Sequence, residues 1–450
     1  MNEPTEAAAT ACAAGGSKSE EEALLEAIAE QRRLVDAMPS DTLTDICERA
    51  PHEKKLGQLE FRHHLPLEKY RISSVLATFE EEHGSLYKEP CLLCLDDVYL
   101  HADLVISHRF MCCGGFTCKR CADDFRKTKP TQCPLCREPL RESSAELLLQ
   151  LMVFVEKGAS WAETMLGTGM MHGYFGIKKQ ERTGLEWINK AVAKDYPAAI
   201  FELFNFRSSA LTSLSSTMAH EECNNLLLKA ANLGHGQANS RLAMRYLGGD
   251  NGFEKDRVKG YFRASVAFAL DGTDYSAAQM LGLMYLHGSE LLEESKFSQE
   301  SEFLDLEASP YLACYYMNIA ANVVDVYGGQ YSNALFSLDK HLHNGDYCEV
   351  PGYNVLPAVF FWASKYRDSD MNKGCKMELE VPKEIEKLGQ RFCSSCGREA
   401  QADEKFKQCS RCKAQWYCSK ECQVEAWKAG HNKDCKRVGI LNFEDYLNSF

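Results

Sequence analysis

A chain of 450 residues with 45 % apolar and 26 % charged side chains is too long for one ordinary core and has the composition of folded soluble domains, so about two to four domains are expected. Its net charge of −13 argues against general nucleic-acid binding, which needs a basic face to neutralise phosphates, and against docking on an anionic membrane surface. No apolar run reaches the roughly 18 residues of a spanning helix, and the greasiest stretch, Val355 to Ala363, contains Pro357.

The N-terminus (MNEPTEAAAT) is acidic and lacks the apolar segment of a secretory signal, so a cytoplasmic or nuclear location is the expectation. In that reducing setting the 21 cysteines need a reason. Fifteen of them fall within 91–136 and 393–435, and clustered C-x2-C pairs in such a compartment point to metal rather than disulfides. The six single cysteines (Cys12, Cys47, Cys223, Cys314, Cys348 and Cys375) read as small apolar residues or inert thiols.

Taken in chain order, residues 1–20 are Ala, Gly, Ser and Glu with few large apolar groups, a disordered composition. Residues 21–88 read as a helical leader and linker. Leu24, Leu25, Ile28 and Leu34 give 21–37 a helical period, while 41–88 is mixed helix and loop without a motif. The first cysteine window lies in 89–140. Just beyond it Ser143 and Glu146 form a candidate capping box ahead of LLLQLMVFVEKG.

From 141 to 325 the sequence repeats itself. Ala162, Ala198, Ala238 and Ala278 open successive phrases 36, 40 and 40 residues apart, each phrase a helix with a small residue, a Gly-containing turn and a second helix. Small residues at fixed spacing let neighbouring helices approach closely, the signature of a helix-pair solenoid. The pattern resembles the Sel-one-like subclass of tetratricopeptide repeats through Leu281–Gly282, Tyr285, Gly288, Lys190–Ala191 and Lys229–Ala230, and departs from it where Leu203–Phe204 replaces Leu-Gly. An acidic insert (289–307) reads as a solvated loop. Residues 326–390 read as a capping segment, with VLPAVFFWASKY as its helix, and a charged linker.

The second window, 391–436, reads Cys393-x2-Cys396, Cys409-x2-Cys412, Cys418-x3-Cys422 and His431-x3-Cys435, followed by a tail over 437–450. Eight thiol and imidazole ligands make two closed tetrahedral zinc sites, whereas a catalytic zinc keeps a position open to water. The x3 gaps suit one helical turn, and KECQVEAWKAGH reads as a short helix. This order resembles the MYND finger, including WYCSKEC and Trp427. The resemblance implies two interleaved zinc ions, one on Cys393, Cys396, Cys418 and Cys422, the other on Cys409, Cys412, His431 and Cys435. It also implies a module that binds proteins or peptides, often proline-containing ones.

The first window reads Cys91-x2-Cys94, Cys112–Cys113, Cys118-x2-Cys121 and Cys133-x2-Cys136, and resembles a RING finger, above all in CPLCR. That resemblance implies two zinc ions, one shared by the first and third pairs, the other by the second and fourth. Where the family has Cys-x-His, Cys113 is followed by Gly114 and Gly115. The missing ligand falls to Cys112, with His108 and the more distant His101 as alternatives. In the family, Leu93, Pro134 and Arg137 stand at positions that contact a ubiquitin-conjugating enzyme. His172, His235 and His287 sit near repeat turns without a second ligand at useful spacing and read as turn or packing residues.

The expected fold is therefore mainly α, a helix-pair solenoid flanked by two small zinc-finger domains. The expected function is a zinc-binding adaptor for proteins, with a RING-type ubiquitin ligase as the alternative and no residue performing covalent catalysis. No phosphate loop, nucleophile elbow or methyltransferase signature accompanies the fingers.

Overall fold

A computed structural model describes residues 17–39, 43–102, 107–141, 143–211 and 217–288, isolated positions between 306 and 320, and 393–432 with gaps at 394, 397, 402–403 and 411–414. The chain divides into two compact units, one of Met1–Tyr70, Ser309–Asn318 and Val324–Phe450, the other of Arg71–Ala308 and Ile319–Val323. Residues 1–16, the capping segment 326–390, the tail and all of the acidic insert except Leu306 lie outside the described residues.

In the first unit, α1 (Ser17–Ala37) runs beside the start of α2 (Leu43–His83). Ile28 and Val35 are buried, Gln31 donates to the His52 carbonyl, and Arg32 pairs with Glu60. Two expectations are corrected here. Ser17 to Glu20, assigned to a disordered leader, form the first turn of α1. The stretch 41–88 is one 41-residue helix for most of its length and continues through Pro51 and Pro66. Proline is a helix breaker in isolation, and burial of Phe61, Leu65, Val75, Leu76 and Phe79 outweighs it.

The second unit begins with the last turns of α2 and runs into the first cysteine window. There β1 (Glu89–Pro90) pairs with β2 (Asp97–Val98), β3 (Ser107–Arg109) pairs with β4 (Phe116–Cys118), and α3 (Lys119–Lys127) follows at once. Its small core is Cys91, Val98, Leu100 and Phe116. Eight helices come next: α4 (Ser144–Glu156), α5 (Ser160–His172), α6 (Glu181–Val192), α7 (Pro197–Leu211), α8 (Thr217–Asn232), α9 (Gly236–Gly248), α10 (Arg257–Leu270) and α11 (Tyr275–His287). Each packs on its neighbours in sequence, and α5 also meets α7 and α9 meets α11. This is the solenoid.

The repeat alanines Ala162, Ala198, Ala238 and Ala278 are all buried, as are Ala191 and Ala230. In the repeat opened by Ala198, where Leu-Gly is replaced, Leu203 and Phe204 are buried instead. Asp256 and Asp274 cap α10 and α11 by accepting from Lys259 N and Ala277 N, while Gly173 and Gly249 close α5 and α9 in the left-handed conformation. The expected capping box at α4 does not form. Ser143 stands at the N-cap without a side-chain bond, and Glu146 pairs with Arg141 instead.

The C-terminal window holds β5 (Lys407–Gln408) paired with β6 (Trp416–Tyr417), then α12 (Lys420–Ala426) and a π turn over Trp427–His431. Cys393, Phe406, Cys409, Trp416 and Tyr417 form its core.

Candidate metal centres

In 89–140 the sulfurs converge in two groups. Cys91, Cys94, Cys118 and Cys121 form one, Cys112, Cys113, Cys133 and Cys136 the other, and within each all four sulfurs lie within 4.8 Å of one another. First and third pairs meet, second and fourth pairs meet, so the two groups are cross-braced along the chain. Tetrahedral zinc with about 2.3 Å bonds to sulfur sets its ligands about 3.8 Å apart. The sulfur separations bracket that value: 3.8 Å for Cys94–Cys118, 4.0 Å for Cys113–Cys133 and 3.4 Å for Cys136–Cys112. They are far beyond a disulfide bond of about 2.05 Å.

Local backbone geometry explains the convergence. After Cys94 and after Cys136 the chain turns through left-handed residues, Leu95 and Arg137, each with φ 65°. The turn brings Leu95 N back to the Cys91 carbonyl at 2.9 Å and Arg137 N to the Cys133 carbonyl at 3.0 Å. A two-residue gap so folded aims both thiols at one point. On the opposite side Cys118 stands at the N-cap of α3 and its sulfur accepts from Cys121 N at 3.5 Å, so that pair occupies the first helical turn.

These sulfurs sit among backbone donors. Burial pushes the Cys91 thiol up, but N–H groups of Cys94, Cys118 and Leu93 outweigh it and bring it down to about 6. The Cys118 N–H lies 3.2 Å from the Cys91 sulfur. A donor aimed at sulfur favours thiolate, the form that binds metal. Burial and neighbouring thiols push Cys112 and Cys121 up, the latter to about 12. Thiols crowded this closely resist simultaneous ionisation until a cation offsets their charge. The donor set, spacing and backbone support all fit zinc.

The histidines weighed for the fourth place lie elsewhere. His108 Nδ1 is 3.0 Å from the Arg126 guanidinium and its ring meets Phe110 edge-on. His101 stacks on Tyr87 and meets Tyr196 edge-on. His235 is a fully buried N-cap that accepts from Ala238 N at 3.2 Å. Among the single cysteines, Cys223 is buried in the repeat core.

Leu93 is 45 % exposed, Pro134 is half-buried and Arg137 is exposed. A feature invisible in the sequence joins their loops. A Cβ on Gly115 would lie 2.6 Å from Leu135 Cδ1 and 3.3 Å from Leu92 Cδ1, so the first and last cysteine loops close over that glycine.

In the C-terminal window Cys393, Cys396, Cys418 and Cys422 make the same kind of group, all within 4.8 Å. Cys396–Cys418 is 3.6 Å and Cys418–Cys422 is 3.5 Å. Burial raises the Cys393 thiol, and N–H groups of Cys396, Cys418 and Ser395 overcome this to bring it to about 6. Ser419 caps α12 and accepts from Cys422 N, which fixes the pair at one helical turn. His431 Nε2 lies 3.4 Å from Cys409 Sγ, near the roughly 3.6 Å between nitrogen and sulfur on one zinc. Their expected partners Cys412 and Cys435 lie outside the described residues.

With this geometry in view, residues 393–435 match the MYND finger family, a zinc-binding fold. Over 44 residues the chain is 48 % identical to ubiquitin carboxyl-terminal hydrolase 19 of Arabidopsis thaliana, a match that covers 10 % of this chain and 6 % of that protein's length. A Sel1 repeat protein from Oxalobacter formigenes superposes at 17 % identity with a TM-score of 0.39, over 52 % of this chain and 82 % of that one. An SLR-fold protective antigen of uropathogenic Escherichia coli does so at 16 % identity and 0.35, over 56 % and 49 % of the two chains. The C-terminal window is thus a MYND zinc finger, carried by a mainly helical protein that holds a second set of clustered cysteines near its N-terminus.

Proposed function

We propose that this chain is an intracellular scaffold that holds proteins through its solenoid and its MYND finger, and that its first finger is a RING-type module that seats a ubiquitin-conjugating enzyme. The observation that carries the RING-type reading is the cross-braced pairing of sulfurs in 89–140. On this reading Cys91, Cys94, Cys118 and Cys121 hold one zinc, and Cys112, Cys113, Cys133 and Cys136 a second. Cys393, Cys396, Cys418 and Cys422 hold a third, and Cys409, Cys412, His431 and Cys435 a fourth. Every such site is closed by four protein ligands, so the metal's contribution is structural. The MYND finger and repeats then receive protein or peptide partners, proline-containing peptides among them.

The ligase part is supported by the exposed Leu93, by the closure of the Leu92 and Leu135 loops over Gly115, and by the exposed Arg137. Such a module acts by positioning a charged carrier, with no covalent step of its own.

Zinc content of the purified protein, followed by autoubiquitination with a panel of conjugating enzymes, tests both parts. Position 137 has φ 65°, a conformation glycine adopts freely, so Arg137→Gly removes the guanidinium without straining the turn. Ladders that weaken with Arg137→Gly and vanish with Cys91→Ala establish the ligase. Zinc-loaded protein that makes no ladder with any carrier sinks the ligase and leaves the scaffold.

A further inference from the structure

A solenoid is nearly one-dimensional: each repeat touches only its neighbours, so stability passes along the stack one interface at a time. The first finger breaks that rule. It and the residues just before it reach four successive helix pairs.

At the first pair, Gly114 lies against Phe154 of α4, where a Cβ would approach the ring to 2.5 Å, and the Arg109 guanidinium sits 5.1 Å from the ring centre of Trp161 in α5. His101 meets Tyr196, just before α7, edge-on at 5.5 Å. At the turn between α8 and α9, Gly236 N donates to the Ala102 carbonyl at 2.6 Å, Ala102 is fully buried, and a Cβ on Gly234 would overlap Leu86. Lys119, at the start of α3, donates to Thr273 between α10 and α11 at 2.9 Å.

Three of these contacts come from residues close to the sulfur clusters. Gly114 follows Cys113, Lys119 follows Cys118, and Arg109 donates to the Gly114 carbonyl at 3.3 Å while facing Phe116. Among its described residues the finger clusters only Cys91, Val98, Leu100 and Phe116, one of them a ligand, with Phe110 and Ala122 also buried, a core too small to hold its shape unaided. Its docking residues are therefore in place only when the sulfurs are gathered.

We propose that the first finger is a brace for the solenoid: zinc on its cysteines fixes the contact points and ties the first helix pair to the fourth, so metal occupancy sets the cooperativity of the whole repeat array. The Gly114–Gly115 departure from the RING pattern fits this role, since Gly114 admits Phe154. The proposal rests on the zinc assignment for 89–140, and its test separates the two.

Hydrogen exchange is followed on the full chain with zinc, after chelation, and after zinc is restored, with bound metal counted at each step. Protection in α5, α9 and α10 should fall about tenfold or more on chelation and return with zinc. Cys393→Ser, which touches only the MYND finger, should leave that protection unchanged in the zinc-loaded protein. Gly236→Ala adds a Cβ 3.2 Å from the Ala102 carbonyl at a helical position where alanine is otherwise favourable. It should hold its zinc yet lose protection at α9. A first finger that holds no zinc overturns the metal assignment and the brace with it. A first finger that gains and loses zinc while α5, α9 and α10 keep their protection, or a Gly236→Ala chain as protected as wild type, overturns the brace alone.

Discussion

The sulfurs of Cys112 and Cys136 stand 3.4 Å apart, although one belongs to a vicinal cysteine pair and the other closes the window 24 residues later. Together with Cys113 and Cys133 they complete a four-sulfur group, while His108 faces Arg126. Cys112→Ser should therefore cost the finger one zinc ion, and His108→Ala should cost none. Native mass spectrometry counts the metal directly, and loss of zinc on His108→Ala with retention on Cys112→Ser would reverse the assignment.

Gly167 and Gly184 mark the closest approach of α5 and α6. A Cβ on Gly167 would lie 2.8 Å from the Gly184 carbonyl and 2.9 Å from Ile188, and one on Gly184 would meet the Gly167 carbonyl at 2.6 Å. Backbone cannot yield as a side chain can, so Gly167→Ala should destabilise the packing of α5 on α6 by about 1–3 kcal/mol. Urea unfolding followed by helical circular dichroism reads the loss. An unchanged midpoint would mean that the two helices slide apart at little cost.

Glu163 is buried and both its oxygens lie 2.8 Å from the Lys194 ammonium, which also donates to the Gly158 carbonyl. Lys194 is 42 % exposed, so solvent screens part of the attraction. Lys194→Ala should still cost about 1–2 kcal/mol, because it strands a buried carboxylate. Adding Glu163→Gln should restore part of that loss, and a double variant no better than Lys194→Ala would argue against the stranded charge.

Acid titration of the repeats should show two opposing contributions. Burial holds His235 at about 3, so the unfolded imidazole, at about 6.5, binds a proton first and stability falls as pH drops below that value, by about 2 kcal/mol at pH 5. Burial raises Asp274 to about 6 despite bonds from Ser240 and Ala277 N. Here the native state binds the proton first, and stability rises as pH drops from about 6 toward 3.8. His235→Asn, which keeps a capping side chain, should gain stability between pH 6.5 and 5 relative to wild type. Asp274→Asn should lose it relative to wild type as pH falls from about 6 toward 3.8. Melting temperatures at four or five pH values decide the signs.

The solenoid was legible because alanine spacing is a backbone requirement: Ala162, Ala198, Ala238 and Ala278 all lie where another helix passes. Cysteine pairs were legible for a similar reason, since ligand geometry constrains spacing. The 41 residues of α2 were not, because Pro51 and Pro66 suppress the local helical signal that distant packing restores. Nor did the sequence reveal the capping failure at Ser143, where Arg141 competes for Glu146, or the docking of the first finger. That docking uses carbonyls, glycines and single side chains scattered over Leu86 to Thr273, and no periodicity records it.

The pairing of Arg71 with Ser265, 194 residues apart, and of His83 with Arg263, 180 apart, has a consequence for birth on the ribosome. Val75, Leu76 and Phe79 pack with Val266 and Leu270, and α10 leaves the ribosome long after α2. At about 5–20 residues per second the interval is roughly 10–40 s. Throughout it Val75, Leu76 and Phe79 lack their α10 partners, which makes the nascent chain short of residue 270 the species most open to misassembly and to capture by chaperones.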